Sequence, residues 1–287
     1  MGDKHQVPEV KSPATIEPGA VYSWPEAPIL IGSRVKRVDG PDKVQGKAKY
    51  SYDVNRPGML YGRILRSPYA HARIVSIDFS AAKRAPGVRA TLAILEPGQR
   101  AMYQGDEVAA LAATTEELAA DALRLVRVKY EVLPHLATIA QAMDPIAPPI
   151  FEGGNVRRGN AEEEGDLEAG FAAAAHTVEQ SYSTQVETHQ SLETHGCVCE
   201  WEDGKLTAWA STQAVHGTRE GFAKALEIPQ SDVRVITQYM GGGFGSKFGP
   251  DVQGITCAKL AKQANAAVKM MLDRKEEQLA TGNRPSA

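Results

Sequence analysis

Residues 240–248 read Met-Gly-Gly-Gly-Phe-Gly-Ser-Lys-Phe, a glycine cluster with the spacing of a ligand cradle. Glycines let a backbone turn sharply and approach a ligand closely, with N–H groups directed at it. The cluster fits neither common nucleotide fingerprint, because G-x-G-x-x-G needs a glycine at Ser246 and the phosphate loop needs Ser or Thr directly after Lys247. The glycine loop therefore predicts a cofactor cradle of another kind.

Further polar residues on either side of this loop could take part in chemistry. His189, Glu193 and His195 offer metal-ligand atoms, or they are hydrogen-bonded structural residues at the edge of a cavity. Gln213 ends an apolar strand, so its amide either caps the next helix or hydrogen-bonds a ligand. Lys247 either faces an anion or is a solvated surface lysine. Residues alone leave these alternatives open.

Composition bounds the class of protein. The 287 residues are 43% hydrophobic and 23% charged, as in a globular chain with room for two domains. The net charge is −3 and the basic residues are scattered, so nucleic acid and anionic membranes are not expected partners. No apolar run reaches the ~20 residues of a membrane span, and the start lacks the apolar segment of a signal peptide. A cytoplasmic location is the default expectation.

The cysteine count limits redox chemistry. Cys197, Cys199 and Cys257 are the only cysteines, so no fourth thiol exists to hold an iron–sulfur cluster or a four-sulfur zinc site. If the protein is redox-active, its electrons must leave through another chain. The alternative is that all three are reduced thiols in a core.

Pattern and composition divide the chain into four segments. These are an extended N-terminal arm (1–30), a compact α/β domain (31–142), a linker rich in Pro, Gly and Glu (143–165) and a second domain (166–287). The last strand-loop-helix-strand unit leaves one apolar sheet face uncovered, which predicts that another chain completes it or that the last helix packs back.

Alternation and helical periodicity predict the elements. Strands are expected at 60–65, 74–79, 88–94, 108–112, 126–132, 177–183, 196–201, 206–211, 233–239 and 268–272. Helices are expected at 80–84, 115–125, 166–175, 218–226 and 250–263. Glu202-Asp203-Gly204 predicts a hairpin turn. Residues 273–287 are expected to end the chain without a capping element.

Several segments in order resemble one protein family. In the second half they are Leu192-Glu193-Thr194-His195, Ser211-Thr212-Gln213 and the run Gly241 to Lys247. In the first half they are Arg37 to Gly46, Arg66 to Ala72 and Ala85 to Val88. Together they resemble the molybdenum-binding subunit of the xanthine dehydrogenase and aldehyde oxidase family. The resemblance implies an α+β fold, with an α/β hammerhead domain followed by the first part of a molybdopterin-binding domain.

The resemblance also implies a cofactor and a reaction. The cofactor is a molybdenum-pterin group, molybdopterin or its cytosine dinucleotide, in which the pterin dithiolene and no protein side chain holds the metal. The implied cofactor-binding residues are Gln213, Gly242, Gly243, Phe244 and Gly245. The family hydroxylates aldehydes or aromatic N-heterocycles with water-derived oxygen. Electrons pass to 2Fe-2S clusters and FAD, here expected on separate 2Fe-2S and FAD subunits.

Two departures from the family pattern shape the expectation. Phe248 stands where purine-oxidising members place a glutamate, so the substrate pocket favours an aldehyde or an apolar aromatic compound. The family's general-base glutamate is expected on a C-terminal molybdenum-subunit polypeptide, which leaves no catalytic residue in this chain. Other hypotheses are a non-catalytic structural or assembly component, and an unrelated phosphate- or nucleotide-binding domain.

Overall fold

The computed structural model describes residues 30–157 and 159–287. The predicted arm 1–30 lies outside the described residues apart from Leu30. The described chain divides into two units, one up to Ala48 and the other from Lys49 to Ala287. The first unit holds the short helix α1 (Gly40–Val44), which has a proline in its first turn.

The second unit contains all the strands of the described chain. They are β1 (Leu60–Arg66), β2 (Ala72–Asp78), β3 (Val88–Ala93), β4 (Arg100–Ala101), β5 (Glu107–Ala113), β6 (Arg127–Val132), β7 (Gly196–Glu202), β8 (Lys205–Ala210), β9 (Val233–Ile236) and β10 (Val268–Met271). Its helices are α2 (Ser80–Lys83), α3 (Glu116–Leu123), α4 (Ile139–Met143), α5 (Leu167–Ala173), α6 (Val215–Leu226), α7 (Asp251–Ala264) and α8 (Arg274–Ala280). Short 3-10 helices cover Ser51–Asp53 and Gln230–Asp232.

A seven-stranded sheet joins the two halves of the sequence. Its strand order is β3-β5-β1-β10-β7-β8-β9. Strand β10 pairs in parallel with β1, where Leu60 lies opposite Val268, and antiparallel with β7, where Cys197 lies opposite Met270. The sheet of the second half is therefore extended by strands of the first half. The domain boundaries at 142 and 165 remain a prediction, because this sheet runs across them.

Core side chains cover both faces of the sheet. Strand β5 is buried along its whole length, and its successive residues point to opposite faces. Ala110 and Ala112 pack in the cluster with Leu260 of α7. Leu111 packs in a second cluster with alanines of α3. Helices on both faces explain why β5 reads as a continuous apolar run.

Local capping and turn signals were correctly predicted at two places. The hydroxyl of Thr115 accepts from the N–H of Leu118 at 3.2 Å and begins α3. Asp203 and Gly204 both have positive φ, 49° and 77°, and connect β7 to β8. Two central residues with positive φ are what a tight hairpin between twisted strands requires.

Two predictions about elements were wrong. Residues 177–183 have a strand pattern but form no strand, since no described segment pairs with them. Residues 273–287 do contain a capped helix: the carboxylate of Asp273 accepts from the N–H of Glu276, and the Glu276 carboxylate accepts from the N–H of Asp273. The sequence carries the spacing of this reciprocal capping box, an acidic N-cap followed three residues later by glutamate.

A further three-stranded sheet, with the order β4-β2-β6, packs Ile74 of β2 against Val108 of β5.

Within residues 30–157 and 159–287, no helix combines the length and apolar character that crossing a membrane requires.

Truncation of Leu260 on α7 tests the core in which strands from both halves of the sequence pack together. Its side chain is fully buried, whereas that of Leu192 is 90% exposed. We expect Leu260→Ala to lower the free energy of unfolding by about 2–5 kcal/mol. The same truncation at Leu192 should change it by less than about 0.5 kcal/mol. Urea unfolding of both variants measures the difference, and equal effects would contradict the assigned core.

Candidate functional site

The glycine loop follows β9 and precedes α7, and Gln213 follows β8. Because β8 and β9 are parallel neighbours, the segments after their carboxyl ends meet at the same edge of the sheet. The loop turns back on itself, since the N–H of Ser246 donates to the carbonyl of Gly243 at 2.9 Å. Gly242 and Gly245 have φ of 103° and 96°, and Phe244 has a φ of 51° that is uncommon for a side-chain-bearing residue.

Gln213 is bound to the loop. Its Oε1 accepts from the N–H of Gly245 at 2.9 Å, and its own N–H donates to the carbonyl of Lys247 at 2.8 Å. A Cβ added at Gly243 would lie 2.4 Å from this Oε1, so only glycine fits there without a shift. The Gly245 N–H requires an acceptor, which fixes the amide with Nε2 on the opposite side. Within the described residues, Nε2 makes no hydrogen bond.

Lys247 is buried, so the alternative of a solvated lysine was wrong. Its Nζ donates to the carbonyl of Glu193 and to the hydroxyl of Ser211, both at 2.7 Å. Burial lowers the pKa of Lys247, and the nearby carboxylates of Glu193 and Glu277 partly oppose this. The lysine therefore faces inward and holds the exit of the loop.

Glu193 joins three separate segments. Its Oε2 accepts from Ser211 Oγ at 2.9 Å and from the N–H of Gly241 at 2.7 Å. Its Oε1 accepts from the N–H of Ser51 at 3.1 Å. A Cβ at Gly241 would lie 2.4 Å from the Cβ of Glu193, so the first loop glycine is needed for this close approach.

His195 connects the loop to α8. Its Nδ1 lies 2.9 Å from Oε1 of Glu277, and its backbone N–H donates to Glu277 Oε2 at 2.9 Å. Its Nε2 lies 3.3 Å from the carbonyl of Ser246 in the loop. Burial raises the pKa of Glu277, but the hydrogen bonds from His195 outweigh it, and the net pKa is lowered. Sequence reasoning missed Glu277, since its partner lies 82 residues away.

Glu193 and His195 are therefore bound by the protein itself and do not form a metal site with His189. Two polar atoms remain without a partner in the described structure, Nδ1 of His189 and Oγ of Ser191, and of these Ser191 lies beside Gly242 of the loop. Ser191 is fully buried, and its Cβ is 3.7 Å from where a Cβ of Gly242 would be. Buried polar atoms without partners are rare, and Ser191 has no exposed surface at which a ligand could reach its hydroxyl.

Among the described residues, only the three cysteines have metal-ligand spacing, with Sγ atoms within 4.8 Å of one another. All three are buried free thiols in the main core cluster. The Sγ of Cys257 donates to the carbonyl of Val268 at 3.1 Å. Burial raises the pKa of Cys199 and Cys257 well above the ordinary value. These features agree with the expectation of reduced core thiols.

The aromatic side chains of Phe244 and Phe248 are both 60% exposed. The structure brings Gln213, Gly243 and Gly245 together at the loop and places Gly242 against the Phe244 ring, where a Cβ would lie 3.1 Å from it. Phe248 follows at the exit of the loop. An apolar ring at the exit adds no hydrogen-bonding group to the surface there.

Two family sequence models match the chain. The model described as "Molybdopterin cofactor-binding domain" matches residues 151–287. The model described as "Aldehyde oxidase and xanthine dehydrogenase, a/b hammerhead domain" matches residues 45–97. The predicted α+β fold, a hammerhead domain followed by part of a molybdopterin-binding domain, is confirmed by these matches and by the structure.

The chain is similar to longer proteins and covers only part of each of them. It is 38% identical over 264 residues to a probable xanthine dehydrogenase subunit of Bacillus subtilis, covering 85% of this chain and 35% of that one. It is 34% identical over 275 residues to the nicotinate dehydrogenase large molybdopterin subunit of Eubacterium barkeri, covering 89% and 64%. The solved CO dehydrogenase from Oligotropha carboxidovorans matches with a TM-score of 0.75 and 34% identity, covering 86% and 35%. The chain thus spans about a third of most of these relatives.

Glu277 provides a test of the buried network. We expect Glu277→Gln to lower the free energy of unfolding by about 3 kcal/mol near pH 7, because it removes one partner of a buried pair. The lowered pKa means that the carboxylate stabilises the fold above its ordinary pKa of 4.5 and that this contribution is lost as the pH falls below it. The deficit of the variant should therefore shrink between about pH 5 and pH 3.

Denaturant unfolding across this pH range measures the effect. Glu168→Gln on the exposed face of α5 is the matched control and should show no deficit at any pH. A Glu277→Gln deficit that stays constant down to pH 3 would contradict the assigned ion pair.

Proposed function

Because the chain belongs to the xanthine dehydrogenase and aldehyde oxidase family of molybdenum-dependent oxidoreductases, we propose that it is the N-terminal portion of a molybdenum hydroxylase large subunit. The observation that carries the proposal is the fixed amide of Gln213 against the glycine loop. The family match supports a molybdenum cofactor.

The residues present fit a molybdenum-pterin cofactor. Gln213 uses its Oε1 on the loop, so its Nε2 remains to donate to an oxygen or sulfur ligand of the metal. The backbone of Gly242, Gly243, Phe244 and Gly245 lines the same edge.

The cofactor, when bound, supplies the two-electron oxidation and the site at which water-derived oxygen is activated. This chain positions the cofactor through the glycine loop. Lys247 and His195 fix the loop by buried hydrogen bonds, and Gln213 Oε1 accepts from the N–H of Gly245 within it. Fixed donors of this kind contribute to catalysis because they need no reorganisation during the reaction. Phe248 gives the exit of the loop an apolar ring, which favours an aldehyde or an apolar aromatic compound over a purine.

The remaining large-subunit polypeptide would supply the other cofactor contacts and the general-base glutamate. A 2Fe-2S subunit and an FAD subunit would accept the electrons, since no cluster site exists in the three cysteines. The relatives differ in length: a match of similar extent covers 64% of the Eubacterium barkeri relative but only 35% of the Bacillus subtilis one. We expect the assembly to be cytoplasmic.

The second candidate is a non-catalytic structural or assembly component with the same fold. The two candidates differ in whether the assembled complex contains metal.

Purification of the chain with its native neighbours distinguishes them. We expect about one molybdenum and one pterin per chain, together with aldehyde-dependent reduction of a dye acceptor. We expect the complex to retain the cofactor because this chain and the remaining large-subunit polypeptide together complete one cofactor site. A stable complex without metal, and without dye reduction, would favour the structural role.

Gln213→Ala tests the amide within that complex. Turnover should fall by about 10²-fold, as when one fixed hydrogen-bond donor is removed from a reacting centre. The free energy of unfolding should change by only about 1 kcal/mol, because Gln213 is exposed and one loop hydrogen bond is lost. Unchanged turnover would remove Gln213 from the site.

A glycine pair tests the loop itself. Gly243→Ala should reduce the molybdenum content of the complex, because the new Cβ would lie 2.4 Å from Gln213 Oε1. Gly249→Ala is the matched control, since the nearest atom to its Cβ is 3.8 Å away, in ordinary contact. Metal analysis of both complexes gives the comparison, and equal metal content would show that the Gly243 contact is not needed.

A further inference from the structure

The peptide group between Phe244 and Gly245 is hydrogen-bonded at both of its ends. Its carbonyl accepts from Nη2 of Arg284 at 3.0 Å, and its N–H donates to Oε1 of Gln213 at 2.9 Å. In a trans peptide the C=O and the N–H lie in one plane and point in opposite directions. Arg284 and Gln213 therefore hold the same rigid group from opposite sides.

The backbone on both sides of this peptide has an unusual conformation. Phe244 and Gly245 have φ of 51° and 96°. A residue with a side chain keeps a positive φ only where its surroundings impose it. The Phe244 ring is 60% exposed, so packing of the ring contributes little. The conformation therefore depends on the hydrogen bonds of the loop, and those of this peptide act at the strained position itself.

Arg284 is itself fixed in place. Its backbone N–H donates to the carbonyl of Glu187 at 2.8 Å, and its carbonyl accepts from the N–H of Glu187 at 3.0 Å. Its positive charge is felt nearby, since the pKa of His189 is lowered first by burial and then by this charge. A charged donor polarises the carbonyl that it binds, which strengthens the N–H donor at the other end of the same peptide.

These contacts connect Arg284 to the orientation of the Gln213 amide. We propose that Arg284 is a positioning residue for Gln213: by holding the carbonyl of Phe244, it keeps the N–H of Gly245 on Oε1 of Gln213 and thereby keeps Nε2 directed at the cofactor. This proposal rests on the proposed function, which supplies the cofactor. Sequence spacing does not reveal the role, because Arg284 lies 40 residues after the carbonyl that it binds.

Arg284→Met tests the contact in the full chain, because it removes the donor and keeps an unbranched side chain. We expect the Gly245 N–H to exchange with solvent about tenfold faster in this variant. The order parameter of the Gln213 side-chain amide, from ¹⁵N relaxation, should fall below about 0.6, the range of flexible groups. Amides in α7 should exchange as before.

Two further variants are matched to this one. Arg284→Lys keeps a charged donor without the guanidinium fork, and it should restore part of the Gly245 protection and of the Gln213 order. Arg124→Met on α3 removes an exposed arginine that pairs with Asp121, and it should leave both readouts unchanged.

A double-mutant cycle in the assembled complex separates positioning from general support of the fold. Because Arg284 acts through Gln213, Arg284→Met should lower kcat about tenfold, with KM unchanged, when Gln213 is present. In a Gln213→Ala complex the same change should lower kcat by less than about twofold.

Three results would overturn the proposal. They are unchanged Gly245 exchange and Gln213 order in Arg284→Met, an equal loss of kcat in both backgrounds, and faster exchange throughout α7, which would show that Arg284 supports the fold and not the peptide. The exchange and relaxation measurements need no molybdenum, so they can succeed where the metal analysis of the complex fails, and the reverse also holds. The two proposals are therefore tested separately.

Discussion

The hydrogen bonds of the buried Lys247 ammonium determine the shape of the glycine loop. An ammonium group without partners in a protein interior is strongly unfavourable. Lys247 meets this requirement by donating to the carbonyl of Glu193 and to Ser211 Oγ, and the Glu193 carboxylate in turn accepts from the N–H of Gly241. Both ends of the loop are thereby attached to one polar group behind it. His195 and Glu277 attach Ser246, next to Lys247 at the exit of the loop, to α8.

The sheet gives this network its place. Parallel pairing of β8 with β9 brings Gln213 and the glycine loop to one edge. Pairing of β10 with β7 brings Glu277 within reach of His195, since α8 follows β10 directly. Pairing of β10 with β1 then ties the site to the strands of the first half. A cofactor held at this edge depends on backbone positions that are far apart in sequence.

Short-range patterns predicted most elements but not the contacts between them. Alternation and a tight turn predicted β7 and β8, because both signals lie within a few residues. The strand expected at 177–183 did not form, since pairing depends on a partner that the segment itself does not encode. Glycine spacing alone indicated a cofactor cradle at the loop, and family resemblance added Gln213 and the molybdenum-pterin group. The sequence did not indicate that Lys247 is buried or that Glu277 pairs with His195, because both depend on long-range packing.

The central claim is that Gln213 and the glycine loop form part of a molybdenum-cofactor site. The most direct measurement is a crystal structure of the assembled complex with anomalous data collected at the molybdenum absorption edge. The account predicts one anomalous peak beside the Gln213 amide and the Phe244–Gly245 backbone. A fully occupied molybdenum peak elsewhere in the complex, or none in a complex that oxidises aldehydes, would contradict it.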